Sequence, residues 1–432
     1  MASNYAMHRQ FWEAIAEEFK VLINRCYRLE IFTTQVPKYI WVTIMSSHVL
    51  RELVLFGEDQ SQIWDEPAAS SPNIIPGELV AQLQLLKVYC LEYNHLLSHD
   101  IVPIRFLDHI SKVDTHTPSA STKTFNIRTL RLAMQLNWRS LSLILSQCPA
   151  LKSFTNVTCV LSSEGFGRTN VIAPNLRMFD IRIRGVLTSS LGPFKHLILP
   201  SLRVLRLELH LYCRYTEAEP SVYNEPQMEE ISLMVKSSPL EELYLSQGRT
   251  VGPDVLPSIL RSCPSLRILG MSDMSCRTME ASIALTLING GNEPTQEGGQ
   301  ASRPAIQLCP MLEELCLRPN LRRVTPDYTD PQPVIRYYEN DVQILVSVLG
   351  ELAQSRSGQY GTETGRVSAQ CVPLRRITLA LAHYLRRNRN IREVISRGSV
   401  LNECRRRGLE VVYVNGDSYN ERFVDEHLDV SC

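Results

Sequence analysis

The stretch "RSCPSLRILGMS", Arg261 to Ser272, places a Cys-Pro pair just ahead of a Leu-x-x-Leu-x-Met pattern. The same arrangement occurs in "SQCPALKSF" from Ser146 and in "QLCPMLEELCL" from Gln307. In the general form Leu-x-x-Leu-x-Leu, the last two leucines alternate with a variable residue, which is the two-residue period of a strand with one buried face. The recurrence of such a pattern indicates a repeat architecture.

The Leu-x-x-Leu-x-Leu frame, with other apolar residues allowed, recurs along the chain at a nearly constant spacing. The starts at 127, 151, 176 and 202 are separated by 24, 25 and 26 residues. Amphipathic stretches such as "WRSLSLILSQCP" lie between frames. One strand and one helix cannot close a core alone, but stacked copies can. The frames start at Leu29, Leu50, Leu83, Ile127, Leu151, Leu176, Leu202, Leu240, Leu266, Leu312, Leu374 and Leu409.

The repeat predicts one α/β fold for almost the whole chain. We expect a right-handed leucine-rich-repeat solenoid, a horseshoe with an inner parallel sheet and outer helices, of about eleven to thirteen irregular repeats. Residues 1–25 form a capping helix region, residues 26–416 form the solenoid with long loop insertions, and residues 417–432 form a C-terminal tail.

Cysteine stands three residues before the first leucine in five of the twelve frames. Free cysteine behaves as a small hydrophobe, and the proline that often follows it cannot continue a helix. We therefore expect reduced, buried thiols where the helix meets the strand. A zinc site needs several converging thiols, whereas each repeat supplies one, so no metal and no cofactor are expected. The five residues are Cys26, Cys148, Cys263, Cys309 and Cys371.

Charge and hydropathy exclude several broad classes of protein. The chain has 45 basic and 45 acidic residues, so no overall charge favours nucleic acid or an anionic membrane. No uncharged apolar run reaches the length of about 18 residues that spans a bilayer, and the amino terminus does not have the pattern of a secretory signal. We expect a cytoplasmic or nuclear protein that binds neither membrane nor nucleic acid.

The stretches "CPALKSF", "CPSLRIL" and "CPMLEEL", each following an amphipathic helix, resemble the cysteine-containing leucine-rich repeats of F-box proteins, particularly those of mushroom-forming fungi. The resemblance implies that the repeats hold a substrate for a ubiquitin ligase, to which an F-box would couple them through the Skp adaptor and a cullin. The F-box itself is apparently missing. The nearest match, "IPGELVAQL" from Ile75 to Leu83, runs directly into a repeat strand.

No catalytic constellation emerges, and we expect the chain not to be an enzyme. "HLLSH", His95 to His99, has leucine where a zincin needs its glutamate. "GGQ", Gly298 to Gln300, lies in a low-complexity insertion. Two interpretations remain open: a protein-binding solenoid that recognises the substrate of an F-box-like ubiquitin ligase component, and a leucine-rich-repeat scaffold with no ligase coupling.

The strand period also predicts a binding surface. If the fourth and sixth positions of each frame point into the core, the third, fifth and seventh positions face the concave side. Arginine and tyrosine there would suit a protein partner with an acidic or phosphorylated segment. We expect Arg131, Arg182 and Arg206 to share one zone beside Glu242 and Tyr244. The full predicted set is Lys87, Tyr89, Arg131, Asp180, Arg182, Arg206, Glu208, Glu242, Tyr244, Arg318, Arg376 and Tyr413.

Overall fold

The fold is described from a computed structural model, in which part of the chain is described. The described residues are 18–31, 43–44, 47–57, 82–90, 124–160, 170–186, 194–212, 225–247, 255–274, 276–288, 308–319, 331–356, 372–381 and 399–415.

Within these residues the fold is α/β, with twelve strands in parallel sheet and helices between many of the successive strands. The strands are β1 (Arg28–Ile31), β2 (Glu52–Gly57), β3 (Leu85–Cys90), β4 (Thr129–Asn137), β5 (Ser153–Val160), β6 (Val171–Ile172), β7 (Met178–Val186), β8 (Leu197–Ile198), β9 (Val204–Tyr212), β10 (Glu242–Gln247), β11 (Ile268–Met274), β12 (Glu314–Pro319), β13 (Arg376–Leu381) and β14 (Glu410–Asn415). The helices are α1 (Trp138–Gln147), α2 (Glu225–Val235), α3 (Val255–Arg261), α4 (Cys276–Ser282) with a π-helical turn (Ile283–Ile288), α5 (Pro331–Arg356) and α6 (Ser399–Arg406).

The chain divides into two compact units. The N-terminal unit comprises residues 1–189 and 195–202, and the C-terminal unit comprises residues 190–194 and 203–432. Residues 26–416, which were predicted to form the solenoid, are thus divided between the two units.

In the N-terminal unit, β1 to β5 and β7 follow chain order, and each pairs in parallel with the next. The short strands β6 and β8 form a separate parallel pair, and β6 contacts α1. Residues 18–23, in the predicted capping region, are helical, and Ile23 is fully buried.

In the C-terminal unit, β9 to β14 also follow chain order in parallel, with at least one helix between each successive pair. Serine side chains join α2 to α3: the hydroxyl of Ser232 lies 3.1 Å from the carbonyl oxygen of Ser258 and 2.8 Å from the hydroxyl of Ser262. Gly350 of α5 packs closely on α6, because a Cβ atom there would lie 2.9 Å from Cγ1 of Val400.

The predicted alternation of buried and variable positions is confirmed in the central repeats. In β9, Leu205 and Leu207 are buried, and Leu202 is buried just before the strand. The buried polar residue Asn156 occupies the same position as Leu207, in the sixth place of its frame on β5. The "NVT" acceptor pattern at that residue is therefore closed to glycosylation in the folded chain.

The register corrects the first and last frames. Leu29 pairs with Leu53, the fourth position of the frame at Leu50, so the first frame begins at Cys26 instead of Leu29. Glu410 pairs with Arg376, the third position of its frame, so the last frame begins at Gly408 instead of Leu409. Leucine occurs at both the first and fourth positions, and adjacent apolar residues in "LEVVYV" fit two frames equally well. Sequence alone could not choose between them.

The Cys-Pro pairs form tight turns between helix and strand. In the turn of Cys263, the N–H of Leu266 donates to the carbonyl of Cys263 at 3.2 Å. Proline occupies the second place of such turns, where its fixed φ angle is favoured. Ala173-Pro174 and Leu199-Pro200 make the same turn without cysteine, with N–H···O distances of 3.4 and 3.1 Å. The prediction that Cys-Pro ends the helix is confirmed, and the proline is the common element.

Burial is confirmed for the three cysteines whose repeat frames agree with the register. Cys148, Cys263 and Cys309 are free thiols with at most 3% of their surface exposed. Cys26 is only half-buried, because it stands at the first position of its frame and is not equivalent to the others. Cys371 lies outside the described residues.

Candidate functional site

The third, fifth and seventh positions form one face of each sheet, called here the variable face. In the C-terminal unit, the register aligns the fifth positions of five neighbouring strands, β9 to β13. The side chains of this row are unlike one another, whereas the buried fourth and sixth positions are apolar. The row consists of Arg206, Tyr244, Gly270, Cys316 and Thr378.

Arg206 and Tyr244 are the first two residues of this row. The guanidinium carbon of Arg206 lies 5.0 Å from the centroid of the Tyr244 ring, which is the geometry of a cation–π contact. The Tyr244 hydroxyl lies 3.4 Å from a carboxylate oxygen of Glu242. Burial, followed by the negative charge of Glu242, raises the pKa of the Tyr244 phenol above its ordinary value. Arg206 is buried, contrary to the expectation of a solvent-facing arginine at the fifth position.

Gly270 allows Tyr244 to lie flat. A Cβ atom on Gly270 would come within 2.9 Å of Cε1 of Tyr244 and would collide with Cδ1. The ring therefore covers the fifth position of β11. The next fifth-position residue in the row is the buried Cys316 on β12. The sequence reading missed Gly270. The available signal was a glycine at the fifth position of one repeat, where the preceding repeat has an aromatic residue at the same position.

In the N-terminal unit, the corresponding row is basic in its middle and acidic at both ends, Glu30 on β1 and Asp180 on β7. Lys87 and Arg131 are direct neighbours on β3 and β4, and both are half-buried. Thr155 follows on β5 and separates Arg131 from Asp180 on β7. Lys87 and Arg131 are therefore direct neighbours in the register.

The remaining predicted residues divide into three groups. Arg182, Glu208 and Arg318 are half-buried at seventh positions of β7, β9 and β12. Arg376, on β13, forms an ion pair of 3.2 Å with Glu410 on β14. The backbone of Tyr89 belongs to β3, but its side chain lies outside the described part of the structure.

Tyr413 was assigned to the wrong face. It pairs with Leu379, a buried sixth-position residue, because the last frame begins one residue earlier than predicted. Burial raises the pKa of its phenol above the ordinary value. Tyr413 therefore belongs with the core positions.

The predicted common zone of three arginines stays a prediction, because Arg131 and Arg182 belong to the N-terminal unit and Arg206 to the C-terminal unit. Arg131 and Arg182 lie on β4 and β7, which are separated by β5. Arg206 belongs to the C-terminal unit, where it stacks on Tyr244. The structure does bring together Arg206, Glu242 and Tyr244.

No protein-family model matches the chain, and a comparison with curated proteins gives no significant match. Within the described ranges, no three histidine, cysteine, aspartate or glutamate side chains are grouped to hold a metal ion. Nor does any described helix combine the length and apolar character needed to cross a membrane.

Proposed function

We propose that this chain is a leucine-rich-repeat solenoid that binds a protein partner on its variable face. The observation that carries the proposal is the fifth-position row of the C-terminal unit, Arg206 to Thr378, in which an arginine supports a tyrosine that is held flat by a glycine. Rigid tyrosine side chains and desolvated arginines are the residue types that most often anchor protein interfaces. Tyr244 is fixed by Arg206 and Glu242 before any partner arrives, so little side-chain entropy is lost on binding.

The more specific proposal is that the partner is the substrate of an F-box-like ubiquitin ligase component. It is supported by the resemblance of the Cys-Pro repeats to those of F-box proteins. On this proposal, the strand faces select the substrate, and the Skp adaptor and a cullin supply the coupling.

A scaffold without ligase coupling is the second candidate. The stretch from Ile75 to Leu83 is the nearest match to an F-box, and its end belongs to a repeat. Leu83 is fully buried at the first position of its frame, and β3 begins two residues later. This observation favours the scaffold over an F-box at that place.

Affinity purification of the tagged full chain from cells, followed by quantitative mass spectrometry, tests these proposals. The wild-type chain is compared with Tyr244→Ala and with a control, Leu233→Ala. Leu233 is 52% exposed on α2 and lies away from the variable face. We expect Tyr244→Ala alone to lose the partner. Equal recovery from all three chains would contradict binding through Tyr244, and recovery of Skp and cullin would decide between the ligase component and the scaffold.

A further inference from the structure

The second position of each repeat lies at the edge of the sheet where the strands begin. Its backbone links one repeat to the next: the N–H of Lys152 donates to the carbonyl of Arg128 at 2.7 Å, and the N–H of Arg177 donates to that of Lys152 at 2.8 Å. Second-position residues of neighbouring strands are therefore one strand spacing apart, about 4.8 Å. Charges placed there form a continuous row along the edge.

In the C-terminal unit the residues of this row alternate between basic and acidic, and neighbouring residues form ion pairs with each other. The order is Arg203, Glu241, Arg267, Glu313 and Arg375 on successive strands. Arg203 pairs with Glu241 at 3.4 Å. Glu313 pairs with both Arg267, at 3.2 Å, and Arg375, at 3.3 Å. The chain supplies its own carboxylates at this edge.

In the N-terminal unit the same row carries no acidic residue. It begins with the exposed Tyr27 before β1 and continues with Arg51, Gln84, Arg128, Lys152 and Arg177, before β2, β3, β4, β5 and β7; the part from Arg51 to Arg177 is called here the basic row. Arg128 and Arg177 are exposed, and no described carboxylate pairs with Arg128, Lys152 or Arg177. Like charges on neighbouring strands are destabilising. An anionic partner would neutralise the repulsion between these charges. In the C-terminal unit, Glu241 and Glu313 neutralise the neighbouring arginines.

We infer that the basic row binds an extended acidic segment of a protein partner. From Arg51 to Arg177 the row spans four strand spacings, about 19 Å. An extended chain rises about 3.4 Å per residue, so a segment of about six residues covers this length with alternate carboxylates toward the row. Arginine forks suit carboxylates, because two parallel hydrogen bonds form at once.

The neighbouring third positions favour a peptide over single-stranded nucleic acid. On β2 the third position is Glu52, which pairs with Arg28 at 3.7 Å, and on β3, β4, β5 and β7 the third positions are Leu85, Thr129, Ser153 and Met178. Sequence-tolerant binding of single strands depends on aromatic side chains on which bases stack. None of these four residues offers such a surface, and Tyr27 supplies a single ring at one end of the row, whereas apolar and hydroxyl groups can contact an extended peptide.

Fluorescence anisotropy with a labelled synthetic peptide of alternating aspartate and serine tests the inference. The variant Arg128→Gln/Lys152→Gln/Arg177→Gln is compared with a control, Arg25→Gln/Lys236→Gln/Arg405→Gln, which removes the same charge at exposed positions that are not members of the row. At physiological ionic strength we expect the row variant to raise the Kd about tenfold or more and the control to change it less than about twofold. Unfolding in urea checks that both variants fold.

Three outcomes would overturn the inference. The first is an equal loss in both variants, since that would reflect overall charge alone. The second is an unchanged Kd in the row variant. The third is tighter binding of a labelled oligouridylate that depends on the same residues, since the row would then be a nucleic-acid site.

The inference rests on the proposed function for its partner, but the two can fail separately. If Tyr244→Ala loses the cellular partner and the row variant binds both that partner and the peptide normally, the proposed function stands and the row has no such role. If the row variant loses the peptide while no cellular partner is recovered, the row is an acidic-peptide site and the proposed function fails.

Discussion

The ring of Tyr244 on β10 lies across the backbone of Gly270 on β11, at a position where any larger side chain would collide with it. The two residues are direct neighbours in the register, one repeat apart. A glycine in a strand weakens the sheet, because it gains no packing and loses more entropy on folding. Here its cost is offset by the contact that it permits between Tyr244 and the sheet.

The first prediction follows from this contact. Gly270→Ala should lower the free energy of unfolding by about 1–3 kcal/mol, since the new Cβ forces the tyrosine ring off Arg206. In a Tyr244→Ala background the same substitution should cost almost nothing, because the ring is gone. Urea unfolding of the two single variants and the double variant measures the coupling. Ser272→Ala on the same strand serves as the control, and equal costs in the two backgrounds would contradict the contact.

The second prediction concerns pH. Burial raises the pKa of the Cys148, Cys263 and Cys309 thiols to about 12. In the unfolded chain the thiols ionise near their ordinary value, so the unfolded state is favoured as pH rises above it. The thiol contribution is fully present below about pH 8.5 and should be lost progressively toward pH 12. Urea midpoints measured across that range should fall, and Cys148→Ala should reduce the dependence on pH.

Alkylation gives the matching control. At mildly alkaline pH, iodoacetamide should modify these three buried thiols far more slowly than the half-buried Cys26, with peptide mapping by mass spectrometry to separate the sites. Rapid modification of all four thiols in the native chain would show that the turns open freely.

The sequence predicted the interior better than the surface, for a physical reason. Burial favours apolar residues at the fourth and sixth positions, so Leu205 and Leu207 could be placed on β9 from the pattern alone. Variable positions carry no such restriction, and their contacts depend on the neighbouring strand. The stacking of Arg206 on Tyr244 could not be read from either frame separately. Tyr413 was misplaced because a shift of one residue moves a side chain to the opposite face.

A third prediction tests the self-paired edge of the C-terminal unit. The Glu313 side chain is 13% exposed and pairs with two arginines. Glu313→Gln should lower the free energy of unfolding by about 1 kcal/mol, and less in high salt, because the arginines lose their shared carboxylate. Glu403→Gln is the control, since its pairs with Arg406 and Arg407 are on an exposed helix surface. An equal effect of both substitutions would show that the edge pairs add nothing particular.

The last prediction concerns Arg356, which is buried at the end of α5. Its guanidinium donates to the carbonyl oxygens of Leu308 and Cys309, each at 3.0 Å. Cys309 has a φ angle of 51°, a left-handed conformation that costs a residue with a side chain about 1 kcal/mol or more. These bonds hold the turn in that conformation. They add a charged donor to the carbonyl of Cys309, which also accepts the N–H of Leu312 at 3.1 Å.

Arg356→Met keeps the length of the side chain and removes the donors. It should lower the free energy of unfolding by about 2–4 kcal/mol, because hydrogen bonds from a charged group are lost and buried carbonyls remain. Arg356→Lys should recover only part of this, since an ammonium cannot reach both carbonyls with the planar geometry of a guanidinium. Urea unfolding compares both variants with Arg405→Met at an exposed position on α6, for which we expect a change below about 0.5 kcal/mol. Full recovery by lysine would mean that the positive charge, and not the forked hydrogen bonding, holds the turn of Cys309.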